Sequence, residues 1–263
     1  MPYLAHNGQS LYYEVSGSGP IAIIFSHGLL MDNEMFNQQI EFFKDKYLCV
    51  AWDQRCHGKT ASDSIELFNY YDSANDLITI LDALKIEKAI LIGMSQGGYL
   101  SLRCALKHRD RVNALILIDT QAQLEDNEKI SGYKVLIDSW MQDGLTQETS
   151  DFLANLILGN HSVENTLWQE KWKRWKPHNL FAAFYALTDR EDISEQICEL
   201  DLPTLVIHGE NDKAITLERA KDMATRLNTG IAIIPKAGHA GNLTHAAQVN
   251  PIIEEFINEI SFR

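Results

Sequence analysis

From residue 21 to residue 234 the chain repeats one pattern: a short run of consecutive apolar residues, then a stretch whose apolar positions recur at three and four. The apolar runs occupy residues 21–25, 47–52, 89–92, 114–118, 204–207 and 231–234. Runs without alternation suit strands covered on both faces, since a wet face would place a polar residue at every second position. The patterns at 76–84, 97–108, 217–227 and 249–260 are helical. Strand alternating with helix leads to a mostly parallel sheet with helices on both faces. Ahead of it, residues 2–6, the turn pair Asn7-Gly8 and residues 11–15 read as a hairpin.

One stretch interrupts the rhythm. Residues 121–197 hold no strand pattern, only helix-compatible sequence such as 133–140 and 150–158. Trp140, Trp168, Trp172 and Trp175 fall here, four of the five tryptophans, and Phe181, Phe184 and Tyr185 follow. A helical insertion between two strands of a sheet forms a cap. The expected organisation is a core of residues 1–120 and 198–263 with a helical cap at 121–197.

The formal net charge of −13 comes with no Lys/Arg cluster large enough to offset it, so it repels phosphate backbones and acidic lipids alike, and no nucleic-acid partner is expected. The first residues lack the basic start and apolar stretch of a secretion signal, and no apolar run is long enough to span a bilayer. Cys49, Cys56, Cys104 and Cys198 show no Cys-x-x-Cys spacing, which argues against a zinc site or a disulfide framework. A reducing cytoplasm is the expected location.

The sharpest local signal is Gly93-Met94-Ser95-Gln96-Gly97-Gly98, which follows one apolar run and opens a helix. A serine on a sharp strand-to-helix turn takes strained backbone angles and lifts its hydroxyl above the sheet edge. Flanking glycines remove the clash a Cβ would bring, and the helix N-terminus offers N–H groups to a developing oxyanion. Ser95 is therefore the candidate nucleophile. Ser26-His27-Gly28-Leu29-Leu30 follows the first run and can bring a second N–H, so Leu29 and Gln96 are the expected oxyanion donors. His27 itself reads as a residue that fixes this loop by hydrogen bonds.

The base is expected late in the chain, where a loop can return over the nucleophile. His239, in Ala237-Gly238-His239-Ala240 after the last run, fits best, with His245 as competitor. The acid is expected after a strand. Asp212 in His208-Gly209-Glu210-Asn211-Asp212 suits the chain order, Asp119 after residues 114–118 is the alternative acid, and Glu210 is a weaker option.

These motifs, with Asp53-Gln54-Arg55-Cys56-His57-Gly58 between them, resemble the α/β-hydrolase superfamily over essentially the whole chain. Asp110-Arg111-Val112 leading to Leu117-Ile118-Asp119-Thr120 is similar to its esterase and enol-lactonase branch. The resemblance implies an eight-stranded, mostly parallel sheet, a helical cap above the nucleophile and no cofactor. Cys56 stands where the family often has glycine, a departure that bears on the local loop; its thiol is expected to be inert and partly buried. Relatives that dehalogenate or open epoxides place aspartate at the nucleophile position, so Ser95 points to an acyl-serine intermediate.

The expected activity is hydrolysis of small to medium uncharged carboxylic esters or lactones, with Trp140, Trp168 and Phe184 as substrate contacts in an apolar roof. Many cap aromatics serve instead to bury the cap against the core. The run Lys171, Lys173 and Arg174 reads as a solvated helix face. Two other readings stay open: a carbon–carbon bond hydrolase or enol-lactonase of a degradation pathway, and a ligand receptor with a retained triad.

Overall fold

The computed structural model describes residues 2–62, 66–159 and 161–260; the expected outer limits of the core, residues 1 and 263, lie outside them. A single sheet holds eight strands: β1 (Tyr3–His6), β2 (Gln9–Ser16), β3 (Ala22–Ser26), β4 (Leu48–Trp52), β5 (Ala89–Met94), β6 (Val112–Ile118), β7 (Thr204–Gly209) and β8 (Ile231–Ile234). Their order is β1-β2-β4-β3-β5-β6-β7-β8. The first two form the expected hairpin and run antiparallel to their neighbours, while β4 to β8 and β3 pair in parallel. Asn7 and Gly8 both take positive φ, 45° and 76°, which is what a two-residue turn of this hand requires.

The central strands read as unbroken apolar runs because both faces are covered. Every residue of β3 and β5 is buried. The core helices are α1 (Asn37–Phe43), α2 (Tyr70–Ala83), α3 (Gln96–Lys107), α8 (Leu217–Arg226), the single turn α9 (Gly241–Thr244) and α10 (Ala246–Glu259). Four more, α4 (Asn127–Asp143), α5 (Gln147–Ile157), α6 (Ser162–Trp172) and α7 (Pro177–Thr188), form the helical insert between β6 and β7. Helix α2 starts where Asn69 accepts from the N–H groups of Tyr71 and Asp72 while the Asp72 carboxylate accepts from Asn69 N–H. Pro177 opens α7, where its missing N–H costs nothing.

The register fixes where chemistry can occur. Ser26 pairs with Gly93, Met94 with Ile118 and Ile118 with Ile207, so the C-terminal ends of β3, β5, β6 and β7 stop at one edge. From β3 the chain steps to β4 on one side and then to β5 on the other, so the switch in winding direction falls between β3 and β5. Open sheets of this kind form a crevice at that switch point.

The segment after β4 shows why Asp53 and Arg55 are needed. Arg55 bonds the carboxylate of Asp76 in α2 through two nitrogens at 2.6 and 2.9 Å, and Asp76 is fully buried. Asp53 accepts from the N–H groups of Asn33 and Lys59 at 2.7 Å each, tying together two loops of the sheet edge. Cys56 takes a φ of 68°, the left-handed backbone that glycine adopts without cost, and its buried thiol is pushed up to about 12 by burial, which leaves it an inert core group. Removing Asp76 would strand the Arg55 charge: Asp76→Ala should lower the unfolding free energy by about 3–5 kcal/mol in urea titration, and a loss below about 1 kcal/mol would contradict this role for the pair.

Candidate active site

Ser95 sits between β5 and α3 with φ 50° and ψ −112°, a backbone state that costs about 1–3 kcal/mol unless its surroundings enforce it. They do. Its N–H donates to Ile118 O at 2.9 Å, and its carbonyl accepts from Gly98 N, Tyr99 N and the Thr120 hydroxyl. A Cβ at Gly93 would lie 2.2 Å from Gly97 O, and one at Gly97 only 1.9 Å from Ser26 O. Both glycines are demanded by the tightness of this elbow.

His239 lies in the loop after β8, and its Nε2 stands 3.0 Å from Ser95 Oγ. Its Nδ1 is 2.8 Å from Asp212 Oδ2 in the loop after β7. A carboxylate only accepts, so Nδ1 carries the proton and Nε2 is free to accept from the serine hydroxyl. Burial alone would raise the Asp212 carboxyl, but the charge and hydrogen bond of His239, the His208 ring and the Ile215 N–H together hold it below its ordinary value. The other Asp212 oxygen accepts from Ala214 N and Ile215 N, which fixes the carboxylate plane.

Asp119 is close by but turned to other work. Its two oxygens accept from Gly209 N at 2.7 Å and Gly241 N at 3.1 Å, so it clasps the loops that carry Asp212 and His239. Burial, and then the Asp212 charge, push its carboxyl well above the usual range. Asp119, His208 and Asp212 place potential ligand atoms within 4.8 Å of one another. Each carboxylate oxygen there already accepts at least one hydrogen bond, from Gly209 N, Gly241 N, His239 or the Ala214 and Ile215 N–H groups.

Gln96 is the first residue of α3, where an N–H has no partner within the helix. Across from it, the loop after β3 presents Leu29. The neighbouring Leu30 N–H is directed to His57 Nε2 at 3.4 Å, and Gly28 O accepts both from the His27 ring at 2.8 Å and from Met31 N at 3.2 Å. Among the described residues the Leu29 N–H has no protein acceptor. His27 thus acts on the loop, as its sequence position suggested. His245 stands at the N-terminus of α10 without a side-chain cap bond, and its ring bonds the Thr244 hydroxyl rather than Ser95.

A cavity of about 430 Å³ opens over Ser95 and His239, within the usual range for small-molecule sites. Leu136 of α4, Phe152, Leu156 and Ile157 of α5, and Phe184 and Leu187 of α7 form its roof. Its polar wall groups are few, chiefly Glu125 with Lys129 bonded to it at 2.9 Å, and Lys213 at the rim. Of the three aromatics expected to meet substrate, only Phe184 lines the cavity. Trp140 and Trp168 require correction: both are buried away from it, Trp168 under the Lys171 ammonium at 4.3 Å. They turn inward because indoles this large fill the interior of the cap. The residues that do line the roof carried a signal in sequence: Leu153 and Ile157 at i and i+4, beside Phe152 and Leu156, put large apolar side chains on two adjoining rows of α5.

The cap also grips the loop after β3. Trp172 Nε1 donates to Leu30 O at 2.8 Å, and Lys171 reaches Asp32 and Glu34 at 2.7 Å each. On the other side Ile157 O accepts from Ala240 N at 3.0 Å, next to His239.

The chain matches the alpha/beta hydrolase fold family over residues 21–246 and belongs to it. It is 25% identical to 3-oxoadipate enol-lactonase 1 of Acinetobacter baylyi, over 96% of this chain and 95% of that protein. Among solved structures, an esterase from Thermogutta terrifontis superposes with a TM-score of 0.88 at 24% identity, covering 98% of this chain and 97% of that one. An enol-lactonase from Burkholderia xenovorans gives the same TM-score at 21% identity, with 98% and 100% covered. The protein is therefore a hydrolase of this fold. Among its described residues no helix is long and apolar enough to cross a membrane.

His57, packed edge-on to Trp175, is pushed down to about 4 by burial. Unfolded, it takes up a proton below about 6.5; folded, only below about 4, so stability is full above this window and falls as pH drops through it. Urea unfolding should show a lower midpoint at pH 5 than at pH 7. The gap should narrow in His57→Gln; an unchanged gap would place the acid sensitivity elsewhere.

Proposed function

We propose that this protein is a serine hydrolase that cleaves carboxylic esters or lactones of small to medium, uncharged molecules through an acyl-serine intermediate. The observation that carries the reading is the continuous hydrogen-bonded line from Ser95 Oγ through His239 to Asp212, beneath a largely apolar cavity. His239 takes the Ser95 proton as the serine oxygen attacks the carbonyl, and Asp212 stabilises the imidazolium that results. The N–H groups of Leu29 and Gln96 receive the oxyanion, each contributing about 10²–10³ in rate. His239 then protonates the leaving alcohol, and a water activated by the same ring releases the acid.

Asp212 is the proposed acid rather than Asp119, because it alone bonds the His239 ring while both Asp119 oxygens serve backbone N–H groups. A lactone, including an enol-lactone, would follow the same steps with the alcohol kept on the acyl chain; the Acinetobacter enol-lactonase relative favours testing that class second.

Hydrolysis of p-nitrophenyl esters from acetate to decanoate tests the reading. Activity should vanish in Ser95→Ala and fall by about 10³–10⁴ in kcat for Asp212→Asn, where the histidine loses its tautomer. Asp119→Asn should lose less, about 10²-fold or below, the size of a misplaced positioning group. Equal losses in the two aspartate variants would return Asp119 to candidacy, and a folded but inactive wild type would move the assignment to enol-lactones and carbon–carbon substrates.

A further inference from the structure

We infer that the side chains of Gln54 and Gln96 form a buried relay that holds the two oxyanion donors in fixed relation, which makes Gln54 a positioning residue for the reaction. The inference rests on the serine hydrolase reading above.

The two donors belong to different segments, Leu29 to the loop after β3 and Gln96 to the start of α3. The sheet pairs these segments only as far as Ser26 and Gly93. Beyond that edge the packing of α3 on the end of β3 brings the two segments together but no backbone pairing joins them. A chain of side chains spans the gap. The Tyr70 hydroxyl donates to Gln96 Oε1 at 3.2 Å, and Gln96 Nε2 donates to Gln54 Oε1 at 3.1 Å. Gln54 Nε2 donates to His27 O at 2.5 Å, and Gln54 N–H donates to His27 Nε2 at 2.9 Å. The opposite ring nitrogen, His27 Nδ1, therefore carries the proton and donates to Gly28 O at 2.8 Å.

The last acceptor matters most. Gly28 O and Leu29 N–H belong to one peptide plane, so a donor clamped on the carbonyl sets the direction of the N–H. It also polarises it, since successive hydrogen bonds strengthen each other. Every member of the relay is buried: Tyr70, Gln54, Gln96 and His27 are all 1% exposed or less. Burial keeps bulk water from competing for the links. It also fixes both amides, because turning either would set two acceptors or two donors face to face. Burial holds the His27 ring well below its ordinary value and raises the Tyr70 hydroxyl, so neither donor changes state across the working pH range. The relay is a fixed arrangement of dipoles rather than a proton path.

The test uses Gln54→Met, Gln96→Met and the double variant, which keep side-chain length and remove the links. The rate at which a fluorophosphonate modifies Ser95 needs no knowledge of the natural substrate and depends on the oxyanion donors. Both single variants should be slowed about tenfold or more, and kcat on the best p-nitrophenyl ester should fall by a similar factor while KM stays within about twofold of wild type. The acid limb of the pH profile should not move, because His239 lies outside the relay. The double variant should lose no more than the worse single one, as links of one chain do. Losses that multiply, wild-type labelling rates in Gln54→Met with its melting temperature recorded, or a KM effect without a kcat effect would each overturn the relay. A wild type that is not labelled at all would overturn the serine hydrolase reading, and the relay with it.

Discussion

A serine cannot rest at φ 50° and ψ −112° on its own account, and the site is organised around keeping it there. The constraint propagates outward. Holding Ser95 requires α3 to press against the end of β3, which requires glycine at 93 and 97, and that contact brings the loop after β3 within reach of the helix N-terminus. The β6 edge takes part as well, through Ile118 O and the Thr120 hydroxyl on the serine's own peptide groups. Asp119, one residue from each, then clasps the two loops that bring Asp212 and His239 to the serine. The geometry of the candidate triad is thus a consequence of packing at one edge of the sheet.

Much of this could be read from residues in order. Strands buried on both faces announce themselves as unbroken apolar runs, and Ser95, Asp212 and His239, singled out by their place after successive strands, meet at one sheet edge. What escaped reading depended on which way a face turns. Helix α1 is short and places Phe42 in solvent while Phe43 is buried, so its apolar pattern is blurred. Trp140 and Trp168 look like pocket residues by composition, yet their direction is decided by how α4 to α7 pack on one another. The choice between Asp119 and Asp212 depends on which backbone N–H groups absorb a carboxylate, information spread over segments far apart in sequence. Gln54 is the extreme case, an unremarked residue between two motif positions whose partners, His27 and Gln96, are 27 and 42 residues away.

The electrostatics divide between two kinds of carboxylate. Asp212 keeps its charge because a ring and two backbone N–H groups surround it, whereas Asp119, also buried, is driven toward its neutral form by that same charge nearby. Two acids at adjacent strand ends therefore do not compete as equals, since ionisation of one disfavours ionisation of the other. The histidines at 27 and 57 follow the complementary rule, neutral because buried and therefore usable as fixed donors and acceptors for the loops.

The ties of Trp172 and Lys171 to the loop after β3, and of Ile157 to Ala240, bear on how such a protein can diversify. The insert enters and leaves between consecutive strands, so it resembles a module that recombination could exchange to change substrate. Its inner surface nevertheless supplies anchors to both loops beneath it. A foreign insert joined at the same two points would carry its own roof but arrive without those anchors. Successful exchange would then require the grafted segment and the loops at residues 28–34 and 239–241 to travel as one unit, which makes them, rather than the cap alone, the heritable unit of specificity.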